Sequence, residues 1–368
     1  MKFTICVTQR CNLRCEYCYI AKDEATLDVP TASAIVDWIY TRAASAADEK
    51  IDIGLFGGEP LLVFDVVRAV VELIEAHPAY ERDRVILSVI SNGTIFTPAI
   101  AEFLRAHGVR YALSFDGPPD VQNRFRRFAN GRGSADLVER NARAALEAFG
   151  WIPVNAVLHP ETFRRAPDTI RYLASLGLRQ IYLTPDYSAP WTRQDVEALP
   201  AVCDAIAELY VDAHVRGTPL FLSPIDGKIA ALLRGGYRAD ERCRMGTAEF
   251  AFSPLGQIYP CERLIGCGRT SRHSIGSVGT EVRATDDAAP RRPECDACPL
   301  ADFCVHWCGC SNFFATGDYG RTSPVICAFE RASIAAAARA FEVVEAQLGP
   351  TFVAHLTGHP SMVANGRY

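Results

Sequence analysis

Fourteen cysteines in 368 residues are spread so unevenly that the chain has to fold around them. Three crowd into residues 11–18 and nine into residues 243–327, leaving Cys6 and Cys203 outside both groups. The chain opens on a strand-like stretch, Phe3–Val7, without the basic and apolar regions of a secretory signal. No apolar run is long enough to span a bilayer. A cytoplasmic, reducing location without membrane attachment follows, and there clustered cysteines indicate metal rather than disulfides. The formal net charge of −5 offers no electrostatic footing for nucleic acid. The short group Arg124, Arg126 and Arg127 reads as a solvated face or an anion clamp.

Outside the cysteine groups, β-branched and apolar runs alternate with helical patterns. Strands are expected at Phe3–Val7, Ile51–Phe56, Val85–Ser91, Val109–Ser114, Pro153–Leu158 and Gln180–Thr184. Helices are expected near Ser33–Ala44, Phe64–Ala76, Pro98–His107, Ser134–Phe149, Phe163–Leu176 and Arg193–Arg216. Such alternation builds a parallel sheet from βα units. Six units are too few for a complete eight-fold barrel, so an open partial barrel and a doubly wound sheet both fit. In either, chemistry belongs at the C-terminal ends of the strands. From Gly235 to about Pro324 the pattern breaks into short pieces rich in Gly, Pro, Cys and Arg, a segment that bound metal would have to organise. Phe329–Leu348 then reads as a closing Ala-rich helix.

The first cysteine group, Cys11, Cys15 and Cys18, has the spacing C-x3-C-x2-C directly after the first strand. Three thiolates on one tight loop can hold three irons of a cubane cluster and leave the fourth iron without a protein ligand. A zinc site would need a further N or S ligand, and the nearest histidine in sequence is His77. With Tyr17 ahead of Cys18, the loop resembles the radical S-adenosylmethionine (SAM) superfamily signature, C-x3-C-x-aromatic-C. The resemblance implies a partial (β/α)6 barrel, with Tyr17 against the adenine of SAM and the open iron binding its methionine moiety. Gly57-Gly58-Glu59-Pro60, after the second strand, looks like the family's GGEP motif. Its glycines permit close backbone approach, and its glutamate can accept from the methionine amino group. Asn92, in Ser91-Asn92-Gly93-Thr94, ends the third strand, where the family places contacts to the ribose. Ser114 and Arg126 match the spacing of a serine and an arginine that contact SAM in peptide-modifying relatives.

The second group resembles the SPASM pattern. Cys243 is followed by Gly256 and Cys261, then by Cys295, Cys298, Cys304 and Cys308, and finally by Cys327. That resemblance implies two auxiliary clusters. Cys295, Cys298, Cys304 and Cys327 would bind the distal one, and Cys243, Cys261 and Cys308 the proximal one. Many relatives have an eighth cysteine near position 237, where this chain has Tyr237. Cys267, Cys310, Cys203 or no residue would then complete the proximal cluster. Glu262 follows Cys261, at the place where sulfatase-maturing relatives have an aspartate assigned as base; a glutamate there is a candidate base, or a surface residue.

These likenesses imply a radical SAM partial barrel over residues 1–220, a small cysteine-rich SPASM domain over 221–328, and a C-terminal helix and tail over 329–368. The cofactors implied are SAM and three [4Fe–4S] clusters. The reaction implied is oxidative modification of a ribosomally made peptide, such as a crosslink or thioether. Formylglycine formation from Cys or Ser, as in sulfatase maturation, is the second reading. A flavodoxin- or ferredoxin-type reductant would supply electrons. Because the chain begins at the cysteine loop, a leader peptide would be held by a separate protein or by the enzyme's own groove. A non-catalytic electron carrier or a zinc-organised module leaves the open-iron triplet and GGEP unexplained. An aminosugar dehydrogenase would carry fewer auxiliary cysteines.

Overall fold

A computed structural model describes residues 1–46, 48–266, 272–283, 293–349 and 352. Among them ten strands run in chain order: β1 (Lys2–Thr8), β2 (Ile51–Gly57), β3 (Val85–Ser91), β4 (Arg110–Ser114), β5 (Pro153–Leu158), β6 (Gln180–Pro185), β7 (Phe221–Leu222), β8 (Glu249–Phe252), β9 (Gln257–Tyr259) and β10 (Gly276–Ser277). The helices are α1 (Val29–Ala43), α2 (Phe64–Ala76), α3 (Pro98–Ala106), α4 (Pro119–Phe125), α5 (Ala135–Phe149), α6 (Ala166–Ser175), α7 (Arg193–Val215), α8 (Ser223–Arg234), α9 (Pro293–Asp296), α10 (Gly309–Thr316) and α11 (Pro324–Leu348). The α/β class follows, and each of the six expected strands is present.

The chain divides into two compact units. One holds Met1–Phe115, Gln122–Ile152 and the described part of Arg244–Asp287; the other holds Asp116–Val121, Pro153–Cys243 and the described part of Ala288–Tyr368. In the first unit the strand order is β10-β9-β8-β1-β2-β3-β4. β1 to β4 and β8 pair in parallel, while β8, β9 and β10 pair antiparallel. Along β2 the apolar residues Ile51, Ile53 and Leu55 are buried, and Asp52, Gly54 and Phe56 on the other face are only partly so. One face of the sheet is thus dry and packed by helices, as parallel crossovers require. Trp38 of α1 seals it at β1 and β8, with ring centres 6.3 Å from Phe3, 5.1 Å from Phe250 and 5.3 Å from Phe252.

Helix starts are chemically marked. Asp28 caps α1 through Thr31 N at 2.8 Å, and Thr97 caps α3 through Ile100 N at 3.3 Å. Each relieves an N–H that the first helical turn leaves without a partner. In the second unit β5, β6 and β7 pair in parallel, and α11 packs on α7 and α8. Here α11 begins at Pro324, earlier than the sequence pattern indicates, because Ser323 caps it through Ile326 N at 3.2 Å.

The segment from Gly235 to Pro324 is more ordered than its composition suggests. Its Glu249–Phe252 stretch joins the first unit's sheet as β8, in register with Lys2–Ile5 of β1. The turn from β8 to β9 needs Gly256, whose φ is +74° and where a Cβ would lie 2.8 Å from Val278 Cγ2. Among the described residues no helix is long and apolar enough to cross a membrane.

Candidate functional site

The Cys11–Cys18 loop leaves the C-terminal end of β1 and is held by backbone on two sides. On one side Gly58 N donates to Thr8 O and Glu59 N to Arg10 O, both at 2.8 Å. The fit is so close that a Cβ at Gly58 would lie 2.2 Å from Arg10 O, and one at Gly57 2.1 Å from Thr8 O. The GGEP glycines thus admit the chain's own cysteine loop. On the other side Arg14 N donates to Arg127 O at 2.7 Å and Glu16 N to Phe125 O at 3.3 Å, with Leu13 and Phe128 paired as a β-bridge.

Beneath the loop lies a closed polar network at the ends of β2 and β3. Glu59 is fully buried. Its Oε1 accepts from Leu61 N at 3.1 Å and Ser91 Oγ at 2.9 Å, and its Oε2 accepts from Asn92 N at 2.6 Å. Burial pushes its carboxyl up to about 7, although those donors pull the other way. Three donors thus take three of the carboxylate's roughly four acceptor positions. Asn92 Nδ2 donates to Asn12 Oδ1 at 2.9 Å and sits 3.7 Å from Cys11 Sγ; Asn12 Nδ2 donates to Thr94 Oγ1 at 2.8 Å. The chain from Glu59 through Asn92 therefore ends on the first cysteine, with a branch through Asn12 to Thr94.

Tyr17 lies against Phe125, with ring centres 5.6 Å apart, and the Arg126 guanidinium is 5.3 Å from the Tyr17 ring centre. Arg126 is only 7% exposed. Ser114 closes β4 in the same unit, partly buried. Two contributors escaped the sequence reading. Asn12 was hidden among the spacer residues of the cysteine motif. Lys22, four residues past Cys18, donates to Cys18 Sγ at 3.0 Å and carries no motif signal.

The donor set suits an iron–sulfur cluster. Cys11, Cys15 and Cys18 are uncrosslinked and partly exposed on one loop beside the Lys22 ammonium; burial raises the Cys11 thiol, and Lys22 pulls the other way. The other thiol of this strand, Cys6, is fully buried on β1, and burial raises it to about 12. It belongs to the core.

In the second unit, Cys295, Cys298, Cys304 and Cys327 are likewise uncrosslinked. Cys298 N donates to Cys295 O at 3.0 Å in a tight turn, and Arg331 Nη2 of α11 reaches Cys298 Sγ at 3.8 Å. Cys243 and Cys308 belong to this unit, and Cys308 Sγ is 3.6 Å from Cys310 Sγ. Cys203 lies between α7 and α11, its Sγ 3.7 Å from Ser333 Oγ, raised to about 12 by burial. That is a core thiol. Cys267 lies outside the described residues.

Cys261 follows β9 in the first unit, its Sγ 3.5 Å from Glu262 Oε2. Burial works against ionisation of Glu262, yet the Lys2 ammonium, its own backbone and Arg263 hold its carboxyl below the usual range. Glu262 is therefore partly buried and charged.

Residues 5–173 match the model of the Radical SAM superfamily, and residues 290–304 that of the iron–sulfur binding domain of endonuclease III. The chain is similar to the radical SAM cyclopropyl synthase TigE of Paramaledivibacter caminithermalis, at 26% identity over 82% of this chain and 66% of that protein. It is similar to the cysteine-type anaerobic sulfatase-maturating enzyme of Clostridium perfringens strain 13, at 23% identity over 68% of this chain and 71% of that protein. Among solved structures, native anSMEcpe with bound AdoMet and Cp18Cys peptide superposes with a TM-score of 0.71 at 17% identity. That match covers 97% of this chain and 98% of the other, a likeness of fold.

Proposed function

We propose that the chain, whose residues 5–173 match the Radical SAM superfamily model, is an enzyme of that superfamily that oxidatively modifies a ribosomally made peptide. The observation that carries this reading is the single hydrogen-bonded site joining the cysteine loop, the GGEP turn and Asn92. When bound by Cys11, Cys15 and Cys18, a [4Fe–4S] cluster supplies the electron that cleaves SAM to the hydrogen-abstracting 5′-deoxyadenosyl radical. Glu59 offers its remaining acceptor position to the methionine amino group. Tyr17 would lie against the adenine, Asn92 would contact the ribose, and Ser114 and Arg126 would contact SAM.

Two auxiliary [4Fe–4S] clusters complete the proposal. Cys295, Cys298, Cys304 and Cys327 hold one, and Cys243, Cys261 and Cys308 the other. Cys267, Cys310, Cys203 or no residue completes the second set. A flavodoxin- or ferredoxin-type donor in a reducing cytoplasm supplies electrons, and a separate protein or the enzyme's own groove holds any leader of the peptide.

The decisive experiment is anaerobic reconstitution with iron and sulfide counting and an assay for 5′-deoxyadenosine. About eleven to twelve irons per chain, with cleavage abolished in Cys15→Ala, supports the reading. Zinc in place of iron, or an intact reduced cluster that leaves SAM uncleaved, overturns it.

Formylglycine formation is the second reading, in which Glu262, beside Cys261, would be the base that takes a proton from a substrate thiol or hydroxyl. Mass spectrometry of Cys- and Ser-containing sulfatase peptides after turnover separates the two readings.

A further inference from the structure

Behind Cys304 in the second unit lies a charged pair that the cysteine pattern does not announce. Lys228 of α8 and Glu330 of α11 are each 4% exposed, and Nζ lies 2.5 Å from Oε2. Both ions also reach the same short loop, where Glu330 bonds the Cys304 side chain as well. Lys228 Nζ donates to Phe303 O at 3.1 Å, and Glu330 Oε2 accepts from Val305 N at 2.7 Å. The peptide groups on either side of Cys304 are therefore each pinned by one member of the pair.

The third donor of Lys228 goes to Tyr237 Oη at 3.3 Å. Tyr237 is itself fixed to the loop, because its N–H donates to Asp302 O at 2.8 Å and its ring meets Trp307 edge-on at 5.8 Å. A three-donor ammonium with three acceptors is fully satisfied.

A buried ion pair is a poor device for stability alone, since desolvation of both charges offsets most of their attraction. The same two helices already pack on each other, and Ile229 of α8 and Val325 and Ile326 of α11 are buried. The geometry points to a different use: we propose that Lys228 and Glu330 are positioning residues that clamp the Cys304 peptide so that its sulfur is held for an auxiliary cluster. A metal ligand held by fixed backbone needs little reorganisation when the metal arrives. The 298–304 stretch has only a short 3-10 turn, Ala301–Phe303, to order it. Tyr237, where related patterns have a further cysteine, serves here as the third acceptor of the clamp. The inference rests on the reading of Cys304 as a cluster ligand.

The test compares the reconstituted full chain with Cys304→Ala and with the apolar double variant Lys228→Met/Glu330→Leu, counting iron and sulfide and recording the EPR spectrum after dithionite reduction. Far-ultraviolet circular dichroism monitors folding. Clamping predicts that the folded double variant loses about four irons per chain, as Cys304→Ala does, with the same EPR component missing. A folded double variant with full iron overturns the clamp while leaving Cys304 as ligand. Full iron in Cys304→Ala overturns the ligand reading and the clamp with it, whereas SAM cleavage by Cys304→Ala would leave the radical SAM reading standing. Should the double variant not fold, hydrogen exchange of the wild-type holoenzyme decides: the Val305 amide is expected to be strongly protected, and free exchange there overturns the proposal.

Discussion

Arg126 holds its guanidinium 5.3 Å from the centre of the Tyr17 ring, on a residue only 7% exposed. The contact ties the aromatic position of the cysteine loop to the segment that pairs with that loop from the other side. A cation–π contact in a largely desolvated place is worth about 1–2 kcal/mol. Arg126→Ala should therefore weaken SAM binding about tenfold, with iron content unchanged, in equilibrium binding to the reconstituted enzyme. Unaltered affinity would remove Arg126 from the SAM site.

Gly58 faces Arg10 O so closely that any side chain displaces the cysteine loop, since its Cβ would lie 2.2 Å from that oxygen. A shift of this kind in positioning groups costs on the order of a hundredfold in rate. Gly58→Ala should lose 5′-deoxyadenosine formation by about that factor while circular dichroism stays native. Near-normal cleavage would show that the loop adapts.

Cys203 bonds to Ser333 between α7 and α11. Its removal should leave the iron count of the reconstituted protein as it is. Cys203→Ala should lower the stability to urea by about 1 kcal/mol through lost packing. A loss of iron in this variant would instead make Cys203 a ligand.

Asp226, 3% exposed, is pushed up to about 7 by burial, while donors from Leu222 N and Tyr210 Oη oppose the shift. A carboxyl whose folded value exceeds its unfolded one binds more protons in the fold. Its contribution to stability is therefore full at acid pH and falls as pH rises from about 4 toward about 7, then levels off. The slope from this one group is at most about 1.4 kcal/mol per pH unit. Asp226→Asn, with Tyr210 turning its hydroxyl to accept, should flatten that part of the urea-midpoint curve between pH 5 and pH 7. A variant curve parallel to the wild type would assign the slope elsewhere.

Much of this protein was legible because its chemistry is local. The β-branched run Phe3–Val7 and the alternation in Ile51–Leu55 identify strands without reference to any neighbour. The spacing of Cys11, Cys15 and Cys18 places three sulfurs on one loop whatever surrounds it, and Gly57 and Gly58 announce a close backbone approach. What approaches them was decided in three dimensions: Thr8 and Arg10 of the chain itself. Glu249–Phe252 is a four-residue strand in a cysteine-rich segment, and nothing local directs it to lie beside β1. The pairings of Asn12 with Thr94, 82 residues apart, and of Lys228 with Glu330, 102 apart, have no periodic signature. A buried polar group must find a partner, but its own sequence neighbourhood does not say which one. Only the packing that excludes water makes the choice, and it set both the network under the cysteine loop and the charged pair behind Cys304.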